Sequence, residues 1–285
     1  MNPNTIFIDS EKCIACAKCV DVCHSKAIEM KESKVVQSNP QNCLSCGHCG
    51  AICSQNAITS TDNHRREFRI TNLRTQSSEI EKLLHTKRSI REFKSEEIDK
   101  ELLAKFVQYA EMAPSSTNQR NREYIIVTDK KKIMELENTV VQKFYSHRFL
   151  VSPFVSNLLG IFSRKAGRKL ANFRMKLAKM SHSADSGEFP IFRNAPAVVF
   201  ILAPRRGVQT KDDCIIAQQY MMLYAESQGI GSCIIGYAQY ARKTVEKVLG
   251  AKKGTKVFAV SIFGYPIHKY SKGVQYINGP DVKWI

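Results

Sequence analysis

Long apolar runs are scarce in this sequence. The stretch FLVSPFVSNLLGIF is 14 residues long and contains Pro153, short of the roughly 20 residues that a membrane-spanning helix needs. The opening MNPNTIFIDS carries an aspartate and no extended apolar segment, so a secretory signal peptide is not expected. Cysteine is nearly absent from most of the chain: of ten, only Cys214 and Cys233 lie beyond residue 53. That distribution excludes a chain-wide disulfide framework and points to a reducing, cytoplasmic setting. The single tryptophan, Trp284, belongs to no motif, and the seven histidines show no metal spacing and read as structural or solvated. Acidic residues are missing from 138–184, which holds nine Lys or Arg. The formal net charge of +17 is therefore largely local. No nucleic-acid motif accompanies that charge, so nucleic acid is an unlikely partner.

What is present is a repeated sentence. CIACAKCVDVCHSKAI begins at Cys13 and CLSCGHCGAICSQNAI at Cys43. The thirty-residue offset maps Cys13, Cys16, Cys19 and Cys23 onto Cys43, Cys46, Cys49 and Cys53, and Ala27 and Ile28 onto Ala57 and Ile58. Each copy has the spacing C-x2-C-x2-C-x3-C. Three thiolates so spaced curl around one iron–sulfur cube, while the fourth cysteine ligates the other. The expected ligand sets are Cys13, Cys16, Cys19 and Cys53 for one 4Fe–4S cluster, and Cys43, Cys46, Cys49 and Cys23 for the second. The competing reading, zinc, usually pairs C-x2-C knuckles across a longer loop and rarely needs a third cysteine at this spacing. Residues 5–60 thus resemble a bacterial-type two-cluster ferredoxin domain. One departure is that His24 and Ser54 stand where that family usually has proline, which alters hydrogen bonding near the clusters but keeps the ligands.

A polar linker follows over 61–79, and a second domain is expected over 80–285, interrupted by the basic insert near 138–184. Apolar residues at 102, 103, 106, 107 and 110 predict a helix with Asp99 as N-cap and Pro114 as its stop. YIIVTD, APAVVFILAP and VFAVSIFGYP predict strands, the second buried and central. CIIAQQYMMLYAESQG predicts a buried helix ending on Gly229. Three phrases lie among these elements. Lys87, Arg88, Ser89 and Arg91 offer cations and a hydroxyl to a phosphate. Pro114, Ser115, Ser116 and Asn118 follow the first helix, and GIGSCIIG follows the second, which excludes a dinucleotide fingerprint.

The series KRSIREF, APSSTN, DCIIAQQYMMLYAESQG, GIGSCIIG and FGYP resembles the FMN-dependent nitroreductase family over 80–268. The whole chain is similar to a ferredoxin–nitroreductase fusion. That resemblance implies an α+β sandwich, a homodimer, and FMN at the subunit interface. It implies that Lys87, Arg88, Ser89 and Arg91 hold the phosphate, with a late cation, Lys269 or Lys272, adding to them. Pro114, Ser115, Ser116 and Asn118 would meet the flavin from the neighbouring subunit, and Ile235 and Gly236 would lie at the reactive ring edge. Arg120, Asn121 and Arg122 replace the glutamine, proline and aromatic often found in the family. This change bears on which acceptors or nicotinamides fit above the flavin, and Arg120 favours an anionic group.

The expected function is an iron–sulfur flavoprotein oxidoreductase that passes electrons from two 4Fe–4S clusters to FMN and on to a small electron-poor acceptor, a nitro compound or quinone. A redox carrier or sensor acting through partner proteins is the alternative, and dehalogenation or dehydrogenation on the same fold a third possibility. No catalytic side chain is expected, because the protein's share is binding and tuning the flavin. Cys214 and Cys233 read as small buried hydrophobes. In the insert, Ala166, Leu170, Phe173, Leu177 and Met180 recur at helical spacing, giving an amphipathic lid or dimer arm, or else a docking surface for an acidic redox partner or anionic surface.

Overall fold

The thirty-residue offset of the cysteines is repeated by the backbone. The structure, a computed structural model, describes residues 6–60, 77–146, 163, 190–268 and 281–285. It divides into two compact units, one of Met1–Thr75 with Ser116–Gln119, the other of Gln76–Ser115 with Arg120–Ile285. In the first unit, β1 (Ile6–Ile8) pairs antiparallel with β4 (Ile58–Ser60), and β2 (Ile28–Lys31) with β3 (Lys34–Gln37). Each cysteine loop leads into a short helix, α1 (Lys18–Asp21) or α2 (His48–Ile52). Left-handed backbone recurs at matched positions: Ala15 and Ser45, Ala17 and Gly47, Lys26 and Asn56. Such conformations cost an L-residue about 1–2 kcal/mol and mark loops shaped by what they enclose. The apolar cluster is small: Ile6, Cys19, Ile28, Val35 and Ile58. A core of that size needs metal or another staple to hold its loops.

The second unit is built on a four-stranded antiparallel sheet in the order β5-β6-β8-β7. Its strands are β5 (Glu123–Val127), β6 (Ala197–Pro204), β7 (Gly231–Ile234) and β8 (Thr255–Gly264). Successive side chains on β6 face opposite ways. Val198, Phe200 and Leu202 join one buried cluster, and Ala197, Val199, Ile201 and Ala203 the other. Both faces are covered by helices, which explains the unbroken apolar run expected of a central strand. Between Ile201 and Leu202 the register slips, so Phe258 of β8 bulges out of the pairing. The layered α+β architecture agrees with expectation.

The helices α3 (Ser77–Thr86), α4 (Lys100–Ala110), α5 (Lys130–Ser146), α6 (Thr210–Ser227), α7 (Tyr237–Tyr240) and α8 (Arg242–Val248) complete this unit among the described residues. Asp99 caps α4 by accepting from the N–H groups of Glu101 and Leu102, as its position predicts. Helix α6 begins at Thr210, four residues before the apolar pattern, because Asp212 and Asp213 suit the positive end of a helix. It ends as read: Gly229 adopts φ +74, its N–H donates to Glu226 O, and that of Ile230 to Ala225 O. Those two bonds are the paired closure that a left-handed glycine permits. The first part of the expected insert, 138–146, is the second half of helix α5, with Val140, Val141 and Phe144 buried. The rest of the basic insert, Ser163 apart, and the late cations Lys269 and Lys272 lie outside the described residues.

Candidate cofactor sites

The crossed cysteine sets are legible in two cavities of the first unit. One is lined by Cys13, Cys16, Cys19 and Cys53, together with Ala15, Lys18, Ser54 and Gln55. The other is lined by Cys43, Cys46, Cys49 and Cys23, together with Ser25, Ser45 and His48. Each thus takes three cysteines from one copy and one from its twin. The fourth cysteines are held alike: Ala27 N–H donates to Cys23 Sγ at 3.2 Å and Ala57 N–H to Cys53 Sγ at 3.3 Å. Burial pushes the Cys49 thiol up to about 11, and the neighbouring Cys46 and Cys43 add to it. Burial raises Cys19 in the same way, with Cys13 and Cys16 contributing. For Cys23 burial also acts upward, but hydrogen bonds from Ala27 and Ser25 carry the thiol below its ordinary value. Iron, where bound, would override these shifts, since a coordinating thiol is deprotonated outright.

In the second unit the first and third phrases meet. Ile90 N–H donates to Ser232 O at 3.0 Å, and Ser89 forms a parallel bridge with Ser232. Lys94 N–H donates to Tyr265 O and Ile267 N–H to Glu92 O, while Phe93 bridges Pro266. The segment KRSIREF is thereby stitched between GIGSC and FGYP. Gly231 is required at this seam, because a Cβ there would lie 2.8 Å from Ile90.

Within the seam, Arg88 Nη1 donates to Lys87 O at 2.8 Å, but its Nη2 is buried with no hydrogen-bond partner among the described residues. Ser232 Oγ is equally orphaned. A buried guanidinium nitrogen without an acceptor is costly, and a phosphate oxygen would satisfy it. These residues fit an anionic group such as a flavin phosphate. Arg91 is exposed, its Nη1 3.3 Å from Ser89 O. Lys87 has partners within the chain. Its Nζ donates to Arg88 O at 2.7 Å and lies 3.8 Å from Glu226 Oε2, with both side chains largely buried. Burial depresses the Lys87 amine while Glu226 opposes that shift. Burial raises the Glu226 carboxyl while Lys87 and Arg88 pull it down. Neither Glu226 nor Ser232 was singled out from sequence. Glu226 is far from Lys87 along the chain and falls beside it only because α6 ends there; Ser232 lay unmarked within GIGSCIIG.

Ile235 N–H donates to Val260 O, which fixes the turn into Gly236 at the start of α7. Pro114 and Ser115 follow α4, and Ser115 Oγ accepts from Arg120 N–H at 3.1 Å. Ser116–Asn118 forms a short 3-10 turn in which Thr117 and Asn118 are left-handed. That turn groups with the first unit, where Asn118 Nδ2 donates to Leu44 O at 2.7 Å and to Ser45 O at 3.2 Å. Among the departures after Asn118, Arg122 points inward. Its side chain is fully buried, with Nε 3.1 Å from Glu111 Oε1, Nη1 donating to Asp213 O and Nη2 to Ala113 O. Cys214, wholly buried, is pushed up to about 12 by that burial. Both Cys214 and Cys233 are buried, as small hydrophobes should be.

Clustered thiols in one unit and a cation-rich, backbone-lined seam in the other are the equipment of a redox protein. Comparison with known proteins gives its class. The nitroreductase family matches residues 84–265, and the 4Fe–4S dicluster domain matches residues 12–64. A protein of Archaeoglobus fulgidus named as an NADH dehydrogenase/NAD(P)H nitroreductase is 26% identical over 192 residues, covering 65% of this chain and 84% of its own. A nitroreductase with bound FMN from Desulfitobacterium hafniense superposes with a TM-score of 0.55 at 19% identity, covering 74% of this chain and 100% of that one. A second, from Bacteroides fragilis and also with bound FMN, gives 0.53 at 17% identity, with the same coverage of 74% and 100%. The iron–sulfur motif and the nitroreductase fold together define an iron–sulfur, flavin-type oxidoreductase. The chain belongs to the nitroreductase family and carries a 4Fe–4S dicluster domain before the family's own.

Proposed function

We propose that this protein binds two 4Fe–4S clusters and one FMN per chain and reduces a small electron-poor acceptor, a nitro compound or a quinone. The observation that carries the reading is the pair of cavities whose cysteines cross between the two copies of the repeat. When bound, such clusters supply single electrons, and FMN joins them to two-electron reduction of a substrate. The protein's share is binding and tuning. Lys87, Arg88, Ser89 and Arg91, with Ser232, are the phosphate-side donors, and Lys87 is also paired with Glu226. Ile235 and Gly236 offer main chain to the ring edge, and the space beside Gly236 is open, with nothing within 4 Å of where a Cβ would stand. Pro114, Ser115, Ser116 and Asn118 act as the flavin contacts given to a neighbouring subunit. A homodimer is favoured by Tyr109, Met112, Ile216 and Tyr220, large apolar side chains left exposed on and just after the packed helices α4 and α6. The location is cytoplasmic on this reading, since exposed free thiols of this kind require reducing surroundings.

Anaerobic purification followed by iron, sulfide and flavin analysis tests this directly. About eight irons and one FMN per chain, with repeated turnover of a nitroaromatic or quinone by the reduced protein, are the expected results. Replacing Cys53 with alanine should halve the iron. Full cofactors with no turnover would instead favour a carrier or sensor, and the absence of FMN would sink the proposal.

A further inference from the structure

The two copies of the cysteine repeat share a backbone but not a set of hydroxyls. At thirty-residue spacing Ser45 occupies the place of Ala15, and Ser25 the place of Gln55. The backbones agree, with φ of 54° at Ala15 and 49° at Ser45, so the difference lies in the side chains. Ser45 lines the cavity of Cys43, Cys46, Cys49 and Cys23, and its Oγ is buried with no hydrogen-bond partner among the described residues. Ser25 lines the same cavity, its Oγ 3.7 Å from Cys23 Sγ. The twin cavity has Ala15 and Gln55 at these places. Its own hydroxyl, Ser54, is exposed and accepts from Gln55 Nε2 at 3.4 Å.

Other features cancel or count for little. The amide donors to Cys23 and Cys53 match within 0.1 Å. Lys18 lines the first cavity and His48 takes its place in the second, but Lys18 is exposed, where water and salt screen its charge. A hydroxyl inside a cavity is not screened in that way. It donates to whatever sulfur lies beside it, and a hydrogen bond to a charged acceptor contributes more than one between neutral groups. Reduction adds one negative charge to a cluster, so donors on its sulfurs favour the reduced form and raise the potential.

Resting on the reading that both cavities hold 4Fe–4S clusters, we propose that the two clusters are inequivalent. The cluster bound by Cys43, Cys46, Cys49 and Cys23 has the higher potential, because Ser25 and Ser45 donate to its sulfurs. A single electron entering the domain therefore rests on that cluster. The step adds one electron from an external one-electron reductant; no bond forms or breaks, and the hydroxyl protons stay on their oxygens. With one hydroxyl worth on the order of tenfold in electron partition, each separates the two potentials by about 59 mV.

The test is a redox titration of the anaerobic holoprotein, with dithionite and mediators, followed by electron paramagnetic resonance. The wild type should show two resolved cluster steps. Ser45→Ala and Ser25→Ala should each lower the more positive step by about tenfold in partition, leaving the other in place, and the double variant should bring the steps together. Ala15→Ser should raise the lower step, which keeps the test open if a serine variant assembles poorly. Coincident steps in the wild type, or steps that ignore all three substitutions, would overturn the inference while leaving two clusters standing. Iron near four per chain would overturn the two-cluster reading beneath it, and the inference with it.

Discussion

Replacing Arg122 with methionine removes a buried cation of the second unit that has three partners. The guanidinium has three partners in two places: Glu111 and the carbonyl of Ala113 in the turn after α4, and the carbonyl of Asp213 in α6. Methionine keeps most of the apolar stem and removes only the charge and its donors. Breaking a buried pair by deleting one partner costs about 3–5 kcal/mol. Glu111 sits at the low end of that range, since its side chain is 33% exposed and keeps the Tyr124 hydroxyl, which donates to Oε1 at 2.7 Å. Loss of the donors to the two carbonyls adds on the order of 1 kcal/mol. A loss of about 4 kcal/mol is expected, or roughly 8–16 °C in Tm for a domain of this size. Urea denaturation of the full chain, followed by circular dichroism at fixed FMN, measures it. Adding Glu111→Gln should recover part of the loss, because the stranded carboxylate is then gone. A loss under about 1 kcal/mol, or additive single and double variants, would refute the idea that one buried guanidinium ties α4 to α6.

Two further predictions concern the same unit. Glu137 is buried, accepts from the N–H groups of Ile191 and Phe192, and has its carboxyl pushed up by burial from 4.5 to about 7. The folded state keeps this proton where the unfolded chain has lost it. Its contribution is full below about pH 4.5, falls by a few kcal/mol as pH rises to about 7, and is flat above. Glu137→Gln should flatten the stability–pH curve over that window, and an unchanged slope would show that the group does not titrate there. Arg88→Ala should weaken FMN binding by on the order of tenfold or more, because a charged donor to phosphate is lost. Fluorescence titration of the apoprotein checks this, and an unchanged Kd would remove Arg88 from the phosphate site.

The sequence by itself determined whatever depends on local spacing. Repeated cysteines at fixed offsets wrote out the two crossed sets that line the cavities, three from one copy and one from its twin. Asp99 and Gly229 marked helix ends, since capping is chemistry between residues a few places apart. The apolar run over 195–204 marked a strand covered on both faces. Only the tertiary structure decided which distant groups meet. It set Glu226 against Lys87, turned Arg122 inward to the turn after α4 and to α6, and left Arg88 Nη2 and Ser232 Oγ buried without partners among the described residues. It also drew 138–146 into α5, with Val140, Val141 and Phe144 buried. Each of these rests on how helices and strands pack across long sequence separations, and no periodicity within a short window records that.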